Sequence, residues 1–90
     1  MIRNFKHKGL QELFATGRSK RVPSEQRKRI AERLDLLNNA KTLEDINQPG
    51  LKLHYLVPTT RLAIWVTGSW RITFDFANGQ AINVDLEQYH

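Results

Sequence analysis

The first half of the chain carries apolar residues at helical spacing. Leu10, Leu13 and Phe14 stand at positions i, i+3 and i+4. This spacing predicts an amphipathic helix over residues 6–16, because side chains three and four positions apart share one helix face. Gly17 follows as a stop signal, since glycine readily adopts the left-handed conformation that ends helices.

A second apolar stripe predicts a second helix. Ile30, Leu34 and Leu37 stand at positions i, i+4 and i+7. Ser24 precedes this stripe and is the predicted N-cap, because a serine hydroxyl can accept a hydrogen bond from a free N–H of the first turn. Two asparagines at 38–39 are expected to end the helix.

The second half of the chain alternates apolar and polar residues, which is typical of strands with one buried face. Asn78-Gly79 is the strongest hairpin signal, because both residues tolerate the positive φ of a two-residue turn. The predicted strands are residues 51–56, 61–67, 70–77 and 80–86.

The alternation also assigns faces to the last two predicted strands. The inward set is Trp70, Ile72, Phe74, Phe76, Ile82, Val84 and Leu86, and the outward set is Arg71, Thr73, Asp75, Ala81, Asn83 and Asp85. The sequence therefore predicts an α+β fold, with two N-terminal helices packed on a small, twisted, mostly antiparallel β-sheet. The helices should cover the apolar face and leave the opposite face open.

Length and composition limit the class of protein. Ninety residues suffice for one domain, so residues 1–90 are predicted to form a single unit. The absence of cysteine excludes disulfides and cysteine-based metal sites and fits a reducing compartment. No apolar run reaches the length of a signal peptide or a membrane span. We therefore expect a complete cytoplasmic protein without membrane contact.

The positive charge is concentrated near the N-terminus. The formal net charge is +5, and residues 1–33 hold ten Lys and Arg against three Glu. Such a block indicates a polyanionic or acidic partner, nucleic acid above all. A basic surface that is simply solvated is the alternative that charge alone leaves open.

Four residues of the second half could together cut RNA without a metal. The RNA 2′-hydroxyl is then the nucleophile, and the site needs a base, an acid and a cation at the phosphate. His54 and His90 suit proton transfer, Arg71 matches phosphate geometry, and Tyr89 can donate a proton or stack on a base. The three histidines lack metal-binding spacing, so neither metal nor cofactor is expected. These residue types are common, so the set is also compatible with a binding module.

Four separated segments resemble one protein family. Residues 2–10 (IRNFKHKGL), 52–54 (KLH), 70–74 (WRITF) and 89–90 (YH) are similar to the HigB toxins of the RelE/ParE superfamily. The resemblance spans essentially the whole chain and keeps the order of the segments. It implies two N-terminal helices against a small antiparallel sheet.

The resemblance also implies a function and partners. It implies a type II toxin that cuts mRNA in the ribosomal A site and needs no cofactor. A cognate helix-turn-helix antitoxin would neutralise the toxin, and operator DNA would be bound only through the toxin–antitoxin complex. His54, Arg71, Tyr89 and His90 become the expected catalytic residues. The expected RNA contacts are Lys6, Lys8, Arg18, Lys20, Arg21, Arg27, Lys28, Lys52, Ser69 and Thr73.

The sequence departs from the family pattern at several positions, among them the loop 58–60. Val57 stands where a lysine is common, Gln88 where an aspartate is common, and Ser69 where an asparagine is common. Lys52 is a possible substitute cation. The departures keep two alternatives open: a catalytically weakened toxin held in its antitoxin complex, and a non-catalytic inhibitor that binds DNA gyrase, as ParE-type relatives do.

Overall fold

The computed structural model describes residues 1–89, and the prediction made for His90 lies outside them. In this range three α-helices and one 3₁₀ helix precede four strands, which confirms the α+β order. The elements are α1 (Lys8–Thr16), a 3₁₀ helix (Ser24–Gln26), α2 (Arg27–Asn39), α3 (Leu43–Ile46), β1 (His54–Tyr55), β2 (Leu62–Thr67), β3 (Trp70–Ala77) and β4 (Gln80–Gln88).

Helix α1 has the predicted end and starts two residues later than expected. Its N-cap is His7, whose Nδ1 accepts a hydrogen bond from the backbone N–H of Leu10 at 3.2 Å. Gly17 adopts φ 80° and donates its N–H to the carbonyl of Leu13. The stop signal read from the sequence is confirmed.

Helix α2 begins later than predicted. Ser24 opens the 3₁₀ helix, and its hydroxyl bonds the neighbouring Glu25 carboxylate instead of a backbone N–H. Ser24 as the N-cap of α2 was therefore wrong, because the tighter turn separates it from the helix start at Arg27. The apolar stripe is confirmed, since all three of its residues are fully buried.

The sheet is antiparallel throughout, in the order β1-β2-β3-β4. β3 has the predicted bounds, and Asn78 and Gly79 both have positive φ, as the hairpin prediction requires. The predicted strand 51–56 shortens to β1. Lys52 lies in the left-handed region with φ 52°, and this breaks the extended conformation before His54.

Strand β4 contains an irregularity that the alternation missed. The pairing register of β3 with β4 shifts between Thr73 and Asp75, and Asn83 has φ 53°. The extra residue in β4 is a bulge, and the residues that precede it point to the opposite faces from those that the alternation predicts. Ala81 is consequently fully buried in the core, while Ile82 is outside it, so the predicted faces of these two residues were wrong.

The core lies between the helices and one face of the sheet. Buried apolar residues from α1, α2, β2, β3 and β4 form a single cluster. Residues 2–5 run alongside β4, with bridges from Ile2 to Ala81 and from Phe5 to Val84. Helices therefore cover one sheet face, while the other face, which carries Arg71, is left open. None of the helices in residues 1–89 has the length and hydropathy needed to cross a membrane.

Candidate active site on the open face of the sheet

Strand register places two of the predicted catalytic residues, His54 and Arg71, on one face of the sheet. Arg71 is paired with Trp65 on one side and with Glu87 on the other. His54 is paired with Ala63 on the neighbouring strand. Directly paired residues and residues two apart in a strand share a face, so His54, Trp65 and Arg71 all project from the side that the helices leave free.

Four side chains on this face alternate as cation and aromatic ring. The Nζ atom of Lys52 lies 4.9 Å from the ring centroid of Trp65. The guanidinium carbon of Arg71 lies 4.8 Å from the ring centroid of Tyr89. Because Trp65 and Arg71 are strand partners, the two pairs are adjacent. We call Lys52, Trp65, Arg71 and Tyr89 the cation–aromatic row.

Tyr89 is anchored by the turn between β2 and β3. Its backbone N–H donates to the carbonyl of Ser69 at 3.0 Å, and the amide of Gln88 donates to the Ser69 hydroxyl at 3.0 Å. The residue remains 43% exposed. Ser69, an expected RNA contact, thus fixes Gln88 and Tyr89, and the Gln88 amide that bonds it stands where the resemblance predicts an aspartate.

His54 has a defined tautomer in its neutral state. Its Nδ1 lies 2.7 Å from the carbonyl oxygen of Lys52. A carbonyl only accepts hydrogen bonds, so Nδ1 carries the proton and Nε2 carries the lone pair. His54 is exposed, which leaves that lone pair accessible. The arrangement is suited to accepting a proton from a bound ligand.

Arg71 presents its charge to the open face. It is half-buried, and its Nε is enclosed without a hydrogen-bond partner within residues 1–89. The ion pairs in that range, Arg21–Glu12 and Arg61–Asp75, do not involve it. His54 and Arg71 are two strands apart, about 10 Å across the sheet, so both long side chains can reach one phosphodiester between them.

A polar network next to Arg71 was not anticipated from the sequence. Arg61 pairs with Asp75 at 3.0 Å and donates to the Thr73 hydroxyl at 3.0 Å and to the carbonyl of Asn83 at 2.9 Å. The Thr73 hydroxyl in turn donates to Glu87. Thr73, an expected RNA contact, is fully buried here, so its hydroxyl holds two charged side chains and offers no surface to a ligand.

Helix α2 supports Trp65 from behind. Arg33 Nε donates to the carbonyl of Trp65 at 2.8 Å, and Arg29 donates to the carbonyl of Val66 at 3.2 Å. These carbonyls lie where the register of β2 with β3 shifts. Burial, followed by the nearby charge of Arg29, lowers the pKa of Arg33 below its ordinary value. Neither arginine was singled out from the sequence.

The remaining expected RNA contacts lie on the helical layer. A cavity of about 560 Å³ is lined by Glu12, Arg18, Ser19, Lys20, Arg21 and Arg27. Lys6 and Lys8 are exposed at the start of α1, and Lys28 is exposed on α2. The structure therefore divides the predicted RNA-binding residues into two groups: a basic helical surface, and Lys52 and Ser69 at the open sheet face. In residues 1–89 no three His, Asp or Glu side chains cluster as a metal site.

Comparisons with known proteins identify the family of this chain. A family model described as the RelE-like toxin of the type II toxin-antitoxin system HigB matches residues 3–90. The chain belongs to this HigB-like family of toxins. The Endoribonuclease HigB of Proteus vulgaris is 41% identical over 93 residues, and the alignment covers 100% of both chains. The family resemblance read from the four sequence segments is confirmed.

Proposed function

We propose that this protein is an endoribonuclease toxin that blocks translation by cutting mRNA in the ribosomal A site. The observation that carries the proposal is the arrangement on one open sheet face: Arg71 stacked on Tyr89, with an accessible nitrogen on His54. The full-length relative named an endoribonuclease supports the same activity. The chemistry uses the 2′-hydroxyl of the RNA as the nucleophile.

His54 is the general base in this proposal. Its Nε2 takes the proton of the 2′-hydroxyl, because the Lys52 carbonyl occupies Nδ1. The 2′-oxygen then attacks phosphorus while the bond from phosphorus to the 5′-oxygen breaks. The products are a 2′,3′-cyclic phosphate and a 5′-hydroxyl end.

Arg71 stabilises the charge that builds up on the phosphate oxygens. A guanidinium offers parallel N–H donors that match two of those oxygens. Stacking on Tyr89 limits the rotation of Arg71, so less reorganisation is needed during the reaction. Tyr89 is exposed, so a base can stack on its ring.

His90 is the proposed general acid, which delivers a proton to the departing 5′-oxygen. The proposal rests on the sequence position of His90, immediately after Tyr89. A histidine suits this step because it exchanges protons near neutral pH. Lys52 and Ser69 are the proposed RNA contacts beside these residues, since Lys52 lies over Trp65 and Ser69 bonds the backbone of Tyr89.

The basic helical surface is the proposed contact to ribosomal RNA. Its lysines and arginines neutralise phosphates, and binding releases counterions from the RNA. The ribosome would hold the mRNA in a reactive orientation, which can lower the barrier by several kcal/mol. Toxin-antitoxin family membership implies an antitoxin. We propose that it is of the helix-turn-helix type, that operator DNA is bound only through the complex, and that the toxin acts in the cytoplasm.

The decisive experiment measures mRNA cleavage in cells. Arg71→Ala should abolish growth inhibition and the new 5′ ends that primer extension detects, while Arg71→Lys should retain a fraction of both. The circular dichroism spectra and melting temperatures of the variants control for folding. Cleavage by Arg71→Ala at the unmodified rate would contradict the proposal. Inhibition of DNA supercoiling without mRNA cleavage would favour a gyrase-binding toxin instead.

A further inference from the structure

Lys52 combines a left-handed backbone conformation with a side chain that packs over the ring of Trp65. We infer that Lys52 is a phosphate-binding residue of the active site and that Trp65 is the positioning residue that holds it there. This inference rests on the proposed function, and it adds a second cation beside Arg71 together with the device that places it. The evidence comes from the ring contact, the anchoring of the ring, and the backbone of Lys52.

The ring contact keeps the Lys52 ammonium close to Arg71. Nζ lies 4.9 Å from the Trp65 centroid, and Trp65 is the strand partner of Arg71. A free lysine side chain samples many rotamers in water, and ordering it costs free energy. Attraction to the face of an indole ring offsets part of that cost, because tryptophan gives the strongest cation–π contacts. The positive charge of Lys52 is therefore held near the guanidinium of Arg71.

Trp65 is itself held at three points. Its indole Nε1 donates to the carbonyl of Gly68 at 2.9 Å, which fixes the plane of the ring. Its carbonyl accepts from Arg33 at 2.8 Å, and its backbone N–H donates to the carbonyl of Leu51 at 2.7 Å. The last bond ties Trp65 to the residue preceding Lys52. The ring and the lysine that covers it are thus fixed relative to one another.

The backbone conformation of Lys52 sets the directions of both its side chain and its carbonyl, which bonds the proposed base. Lys52 has φ 52°, a conformation that lysine rarely adopts. The same residue directs its carbonyl to His54 Nδ1 and its side chain to Trp65. Strained residues of this kind cluster at functional sites. One residue consequently orients the base through its carbonyl and contributes a charge through its side chain.

The charge balance of the row favours an anionic ligand. The two cations lie on either side of Trp65, and the ion pairs within residues 1–89 involve neither of them. Glu87, the strand partner of Arg71, accepts from the Thr73 hydroxyl and forms no ion pair with the guanidinium. Like charges repel, and the faces of Trp65 and Tyr89 relieve only part of that repulsion. A phosphodiester lying between Lys52 and Arg71 would remove it. The ligand chemistry indicated is the backbone of single-stranded RNA.

The test measures the salt dependence of RNA binding. The probe is a fluorescein-labelled 2′-O-methyl oligoribonucleotide of mixed sequence, which lacks the nucleophile and cannot be cut. Fluorescence anisotropy gives the Kd of the full chain at increasing KCl. Lys52→Asn tolerates the left-handed backbone and removes one phosphate contact, so the slope of log K against log salt should fall by about 0.7. A purely structural role for Lys52 would not change this slope.

Three further variants complete the experiment. Lys52→Arg keeps the charge and should keep the slope. Trp65→Leu should weaken binding. In a double-mutant cycle its loss of binding free energy should not add to that of Lys52→Asn, because both variants disrupt the same contact. Trp70→Phe is the matched control, because Trp70 packs against the core on the opposite face and should leave binding unchanged.

Three results would overturn the inference. The first is an unchanged salt slope in Lys52→Asn, and the second is that the losses of binding in the Trp65 and Lys52 variants simply add. The third is that the unmodified chain does not bind the oligoribonucleotide. Each of these results leaves the proposed function standing if mRNA cleavage in cells still depends on Arg71. Loss of that dependence would remove the proposed function itself.

Discussion

The guanidinium of Arg71 stacks on the ring of Tyr89, 4.8 Å from centroid to guanidinium carbon, on the one sheet face that no helix covers. The contact joins an inner strand to the end of the described chain. It requires that Ser69 hold the backbone of Tyr89 in place. The reach of Arg71 toward a phosphate therefore depends on how the C-terminal segment is anchored.

The first prediction separates the ring of Tyr89 from its hydroxyl. Tyr89→Phe keeps the ring that stacks on Arg71. The whole cation–π contact is worth about 0.5–1 kcal/mol, so removing only the hydroxyl should leave mRNA cleavage within about threefold of the unmodified rate. Tyr89→Ala loses both the ring under Arg71 and the surface for a base, so cleavage should fall at least about tenfold. Primer extension over a time course measures both. Equal losses in the two variants would instead make the hydroxyl a proton donor.

The second prediction concerns the left-handed backbone of Lys52. Lys52→Gly removes the conformational penalty and should stabilise the fold by about 1 kcal/mol, while cleavage decreases because the ammonium is gone. Urea denaturation measures the free energy of unfolding. Lys52→Ala is the control, because it also removes the charge but retains the penalty. Equal stabilities of the Gly and Ala variants would contradict strain at this position.

The third prediction concerns the network around Arg61. Arg61→Ala leaves Asp75 and the Thr73–Glu87 pair without their cation and should cost about 1–3 kcal/mol of unfolding free energy. Lys20→Ala removes an exposed positive charge elsewhere and should change stability by less than about 0.5 kcal/mol. Urea denaturation curves give both values. A loss no larger than that of the control would show that the network contributes little.

The fourth prediction is a pH dependence at the start of α3. Hydrogen bonds from the backbone N–H groups of Lys41 and Thr42 lower the pKa of Asp45 below its ordinary value. The carboxylate therefore stabilises the fold above the pKa it has in the unfolded chain, and this contribution is lost as the pH falls through the lowered pKa of the folded state. Asp45→Ala should lower the melting temperature at pH 7. The difference from the unmodified chain should narrow as the solution is acidified below pH 4, and a constant difference would refute the account.

The helical stripes, the bounds of β3 and the Asn78-Gly79 hairpin could be predicted because each depends on local spacing or turn chemistry. The faces of Ala81 and Ile82 could not, because Asn83 adopts a positive φ that the alternation does not encode. The start of α2 was missed for a similar reason. The spacing of the apolar stripe does not show that residues Ser24–Gln26 form a 3₁₀ turn ahead of the helix.

The site was predicted in part. His54, Arg71 and Tyr89 were chosen from residue chemistry and family resemblance, and strand register places the first two on one face. Trp65, Arg33 and Arg61 were missed because their roles depend on contacts between distant segments. A tryptophan in a strand predicts only a core residue, unless the conformation of Lys52 is also known. The sequence alone carries no signal for that conformation.

Residues 2–5 bridge to β4, and Tyr89 completes the arginine stack from the far end of the same strand. Residues 2–5 therefore cannot dock until β4 has formed, and the same strand carries Tyr89 to Arg71. Separation of β4 from the sheet would release the N-terminal segment and take apart the cation–aromatic row in one event. Local opening at this strand thus couples the integrity of the fold to that of the proposed site.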